Sequence, residues 1–143
     1  LVDRWRKLSP GATAPNISLQ DSNGKALYLK DLRGKFLYIS VWASSYGEMD
    51  KEVQAEWKKL VEEYKDKNIL FATFCMGPSQ WLGQVKNLPG EHYVVNNTYA
   101  FYSRYMVTVM PRYMLIDPEG RIVDVDAPKP SSSAKLLLRS VGL

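Results

Sequence analysis

Sulfur nucleophiles and imidazoles are scarce in this chain: 143 residues include one cysteine, Cys75, and one histidine, His92. A single cysteine cannot close an intrachain disulfide, so cysteine counting says nothing of the redox compartment. A single histidine cannot assemble a metal site, and no carboxylate or cysteine has ligand spacing to it. His92 reads as a surface loop residue in its Pro-Gly-Glu surroundings. No run of eighteen or more apolar residues exists, which leaves no candidate membrane span. A glycine-rich phosphate loop is absent. Ser44 and Ser45 lack a Gly-x-Ser-x-Gly context, so no hydrolase nucleophile is indicated. Strong charge of one sign is missing too: 19 basic and 15 acidic residues give a net +4. The basic residues are scattered, which argues against a nucleic-acid partner. Their one dense cluster, Arg4-Trp5-Arg6-Lys7, reads as a solvated end. The chain opens on Leu1 without an initiator methionine or signal-peptide pattern. We expect a trimmed or processed product, with any address label removed.

What is present suits a soluble globular protein: 45% apolar and 24% charged residues in a length that fits one domain with a real core. Residues 1–15, with Ser9-Pro10-Gly11 and Ala14-Pro15, predict an extended lead-in. Two short alternating runs flank Asp21-Ser22-Asn23-Gly24, a hairpin signal. The apolar run Phe36 to Trp42 predicts a buried strand. From Met49, apolar Val53, Trp57, Leu60, Val61 and Tyr64 recur on one helical face. Ile69 to Met76 predicts a second buried strand. Ser79 would cap a short helix carrying Trp81, Leu82 and Val85. Asn96-Asn97-Thr98 starts a helix through Tyr105. Arg112–Asp117 and Arg121–Asp126 form a late hairpin around Pro118-Glu119-Gly120. A last helix ends near Ser140, with Leu136, Leu137 and Leu138 facing the body. Strands separated by helices imply an α/β fold with a mixed central sheet and helices on both faces.

Several segments, in order, carry a family likeness. They are Gly11-Ala12-Thr13-Ala14-Pro15, then Asn23-Gly24-Lys25, Leu29 to Lys35 and Val41-Trp42-Ala43-Ser44. The last stretch runs from Tyr105 through Val109-Met110-Pro111 to Leu115-Ile116-Asp117-Pro118-Glu119-Gly120-Arg121-Ile122-Val123. Together they resemble the TlpA/ResA-type branch of the thioredoxin-like superfamily, which overlaps the AhpC/TSA group. The resemblance implies a thioredoxin-like fold with an N-terminal hairpin and Pro111 in the cis form, facing the start of the first long helix. It implies an oxidising extracytoplasmic setting, bacterial periplasm or cell envelope, and an upstream domain in some members. It also places a Cys-x-x-Cys pair where this chain has Tyr46-Gly47-Glu48-Met49.

That replacement governs the functional expectation. Neither Tyr46 nor Met49 can exchange a disulfide, which requires a thiolate. A phenol with an ordinary pKa of ~10 is inert near neutral pH, so Tyr46 reads as an aromatic cover over the site. With Pro111 placed as the resemblance implies, Met49 on the first helical turn should lie close to Met110. Two thioethers suit Cu(I), but two methionines alone make a thin site, so no metal and no cofactor is expected. Glu48 and Asp50 complement the helix dipole. The leading expectation is a redox-inactive member that binds an extended peptide or partner protein at Trp42, Tyr46, Met49, Met110 and Pro111. The alternative is an oxidoreductase or peroxidase working through Cys75 by mixed disulfides, although no His or Lys adjoins that thiol in sequence. A third reading is a structural module of a longer polypeptide.

Overall fold

The computed structural model describes residues 7–47, 49–77 and 81–143, with residue 46 described by its backbone alone. Expectations placed on Arg4, Trp5, Arg6, Glu48 and Ser79 fall outside those residues. Seven strands are present among them: β1 (Ser18–Asp21), β2 (Ala26–Tyr28), β3 (Phe36–Ala43), β4 (Ile69–Met76), β5 (Glu91–Val95), β6 (Arg112–Ile116) and β7 (Ile122–Ala127). Four α-helices accompany them: α1 (Lys51–Glu63), α2 (Trp81–Val85), α3 (Thr98–Tyr105) and α4 (Ser132–Ser140).

The sheet is assembled outward from β3, which is buried from Leu37 onward. A strand covered on both faces carries a near-continuous apolar run, as this one does. Side chains alternate across it. Leu37, Ile39 and Val41 enter one core layer, and Tyr38 and Trp42 the other. β3 pairs in parallel with β4, from Phe36 opposite Ile69 to Ala43 opposite Met76. On its other side it pairs antiparallel with β6. The complete order is β2-β1-β5-β4-β3-β6-β7.

Helices cover both faces. Trp57 and Leu60 of α1 share a buried layer with Ala134 and Leu138 of α4 and with Tyr38, Trp42 and Cys75. Phe101 and Tyr105 of α3, together with Leu8 and Ala14 of the lead-in, fill the opposite layer. Two hydrogen-bonding aromatics beneath α1 and α4 are satisfied by distant carbonyls. Trp57 Nε1 donates to Pro89 O at 2.8 Å and Tyr38 Oη to Pro128 O at 2.6 Å.

Both hairpins form as their turn residues dictate. Asp21 Oδ1 accepts from the N–H groups of Asn23 and Lys25, and Asp117 Oδ1 does the same for Glu119 and Arg121. These are Asx turns that fold the main chain back on itself.

Two expectations are corrected. Residues 91–95 are not loop but β5, the strand that joins the parallel part of the sheet to the N-terminal hairpin. His92 is therefore half-buried rather than a surface loop residue, its ring held between Thr73 Oγ1 at 2.7 Å and Leu88 O at 2.9 Å. In α4, Leu138 is buried but Leu136 is 64% exposed, because consecutive helical residues point about 100° apart.

Candidate functional site

β3 ends at Ala43, and a single 3-10 turn over Ser44–Tyr46 leads to Gly47. Gly47 has φ of 83°, a left-handed conformation that glycine adopts without a Cβ penalty. Asp50 then caps α1, its carboxylate accepting from Glu52 N–H at 2.9 Å. Gln54 Nε2 donates to Met49 O at 2.6 Å, which ties the approach segment to the first helical turn. Opposite stands the segment that enters β6, in which the Met110–Pro111 peptide bond is cis. Arg112, directly after it, donates to Tyr105 O at 2.6 Å and Met106 O at 3.0 Å. Those carbonyls end α3, where a cation complements the free acceptors. Arg112 thereby fixes the spacing between α3 and the cis proline.

Between the two segments lies a groove of about 430 Å³. Met49, Val53, Met110 and Pro111 supply apolar walls, Asp50 stands at the helix end, and Ser40, Trp42 and Tyr113 come from the sheet. Of the expected binding residues, Trp42, Met49, Met110 and Pro111 thus meet in one place, with Gly47 beside them. The side chain of Tyr46, expected to cover this site, lies outside what is described, as does Glu48. Ser40, Val53 and Tyr113 were not anticipated. A signal for Ser40 existed: a lone hydroxyl between Tyr38 and Trp42, on the same face of an otherwise apolar strand, is a buried polar group that calls for an explanation. Ser40 is 0% and Trp42 8% exposed, and Trp42 Nε1 has no hydrogen-bond partner among the described residues. Tyr113 sits across the ladder from Ser40. Burial raises its phenol pKa, and a hydrogen bond with the Ser40 hydroxyl opposes that rise.

Cys75 does not open onto the groove. It lies on β4 opposite Trp42, with 0% of its surface exposed. Its Sγ donates to Gly77 O at 3.3 Å, an acceptor shared with Ser44 Oγ at 3.0 Å. Burial pushes its thiol up to about 11, against a smaller opposing pull from Ser44. No group of three or more His, Cys, Asp or Glu residues that could hold a metal exists among the described residues. No helix among them is long and apolar enough to cross a membrane.

The Redoxin family model matches residues 9–137. This chain belongs to the redoxin family. Within the thioredoxin superfamily, this redoxin is of the TlpA/ResA type. It is 28% identical over 126 residues to the thiol-disulfide oxidoreductase ResA of Bacillus subtilis (strain 168), covering 82% of this chain and 67% of that protein. A crystal structure from Bacteroides vulgatus, provisionally assigned as a thiol-disulfide oxidoreductase, is similar at TM-score 0.80 and 27% identity, over 96% of this redoxin and 99% of that chain. The thioredoxin domain of a thiol-disulfide oxidoreductase from the same species matches at TM-score 0.81 and 20% identity, over 94% and 98% of the two chains; at that identity it speaks for the fold alone.

Proposed function

We propose that this redoxin has no thiol–disulfide turnover of its own and works by contact, binding an extended peptide or partner-protein segment in the groove beside Pro111. One observation carries the reading. The two positions where the family resemblance expects thiols hold Tyr46 and Met49, while the apolar groove next to them persists at about 430 Å³. The rim also supports strand pairing. Val109 is 72% exposed, and its N–H and carbonyl bond no described residue. An extended chain laid along such main chain gains backbone hydrogen bonds, while pockets beside it read alternate side chains.

Reduction of insulin, or of a small-molecule disulfide, should proceed no faster with the protein than without it. Appreciable turnover that survives Cys75→Ser would overturn the proposal. Chemistry through Cys75 is the competing reading, and burial with a thiol pKa near 11 opposes it, since the thiolate is the reactive form. By family resemblance we place the protein in the bacterial periplasm or envelope, and read residues 1–143 as one thioredoxin-like domain. Cell fractionation tests the first, and limited proteolysis releasing a stable internal fragment would overturn the second.

A further inference from the structure

The groove carries sulfur on both of its walls, as thioethers. The chain has five methionines. Met76 and Met114 lie within the sheet at 4% and 1% exposure. Met49 and Met110 are only half-buried, and both line the groove, one on the approach to α1 and the other before the cis proline. Met106 is half-buried as well, but it packs on the layer of Phe101 and Tyr105 and lines no part of the groove. At about 430 Å³ the groove is far larger than the roughly 30 Å³ that one water occupies, so a peroxide enters it without moving main chain. A thioether keeps its lone pairs free at any pH, whereas the Cys75 thiol is buried outside the groove. Oxidant arriving here meets Met49 and Met110 first.

Resting on the docking reading above, we infer that Met49 and Met110 are a paired oxidation site, whose conversion to sulfoxides by peroxide closes the groove to the segment it binds. A sulfur lone pair attacks one oxygen of hydrogen peroxide. The S–O bond forms as the O–O bond breaks, sulfur gives up two electrons, and the other oxygen leaves as water with both peroxide protons. A flexible apolar side chain thereby becomes a polar one. In the open groove, water pairs with the new oxygen. A docking apolar strand expels that water, and the neighbouring walls offer no replacement. Val53 and Pro111 have no side-chain donor, and the indole N–H of Trp42 is closed off from solvent. Burying an unpaired polar oxygen opposes docking. Sulfoxides are reduced back enzymatically, so the change is reversible.

The test treats the full chain with hydrogen peroxide and follows oxygen uptake at each methionine by peptide mass mapping. Met49 and Met110 should each gain one oxygen at least about tenfold faster than Met76 and Met114, which the fold shields. Binding of an acetylated and amidated Thr-Val-Leu-Val-Thr peptide is then measured by calorimetry, before and after a dose that spares Met76 and Met114. The oxidised protein should bind about tenfold more weakly, the cost of one unpaired polar group, with its near-UV circular dichroism unchanged. Met106→Leu should show the same fall. In Met49→Leu/Met110→Leu the affinity should be equal before and after peroxide. Met76 or Met114 oxidising as fast as the groove pair overturns the inference. So does undiminished binding by the oxidised protein, or a double variant that still loses affinity; the docking reading survives each of these. Failure of the unoxidised protein to bind the peptide overturns the docking reading, and the closing of the groove falls with it.

Discussion

Cys75 is held by burial as a neutral thiol, and His92 is held in one ring orientation by two hydrogen-bonding neighbours. With its pKa pushed to about 11, the Cys75 thiol is ionised in only about one molecule in ten thousand at pH 7. Labelling by an aromatic disulfide reagent should therefore be at least a hundredfold slower in the native protein than in urea at the same pH. Rapid labelling of the native protein below pH 7 would revive thiol chemistry at this residue. His92 has a carbonyl, Leu88 O, at Nε2, so that nitrogen carries the proton and the other accepts from Thr73. Thr73 is wholly buried. Replacing His92 by alanine strands its hydroxyl, and we expect a loss of about 1–3 kcal/mol in urea denaturation. The double variant Thr73→Val/His92→Ala should recover part of that loss, since the stranded hydroxyl is then gone.

Elements put the groove in place through their ends. The Asp50 cap fixes where α1 begins, and Asp50→Ala should cost about 1 kcal/mol of stability. Arg112 holds the end of α3 against the start of β6. In Arg112→Met, hydrogen exchange at the amides of 106–110 should quicken while those of β3 and β4 keep their protection. Equal acceleration everywhere would mean that Arg112 contributes only to global stability. Periodicity made most of these elements legible in the sequence. Trp57 and Leu60 announced α1, the run from Ile69 to Met76 announced β4, and Asn-Gly and Pro-Glu-Gly announced the hairpins. β5 escaped because its five residues follow Pro89-Gly90 and open on Glu91 and His92, a composition that reads as loop. Its status is set by Leu19 on one side and Ala72 to Cys75 on the other. Gly90 reports the same tertiary constraint: a Cβ there would stand 2.5 Å from Phe71 O. The groove was half legible. Motif order brought Trp42, Met49, Met110 and Pro111 together, whereas Tyr113 and Val53 joined through strand register and helix phase, which no motif encodes.

For the molecule as a whole, buried acids set the response to alkali. Cys75 is raised from 9.0 to about 11 and Tyr93 from 10.0 to about 12, each mainly by burial, and Tyr38, Tyr105 and Tyr113 are raised as well. Each group holds its proton longer when folded than when unfolded. Their contribution is therefore complete below pH 9 and is lost as pH climbs through 9 to 12. The urea midpoint should be level between pH 7 and 8.5 and fall steadily above 9; a midpoint that rises there would contradict the burial of these groups. The lead-in has a different molecular consequence. Gly11 donates to Ile122 O, Ile122 donates to Ala12 O, and Ala14 donates to Gly120 O, so this segment seals the start of β7 from outside. At the other end of the sheet, β2 offers just three residues. A sheet finished this way gives other copies of itself little to zip onto, a safeguard against runaway self-association.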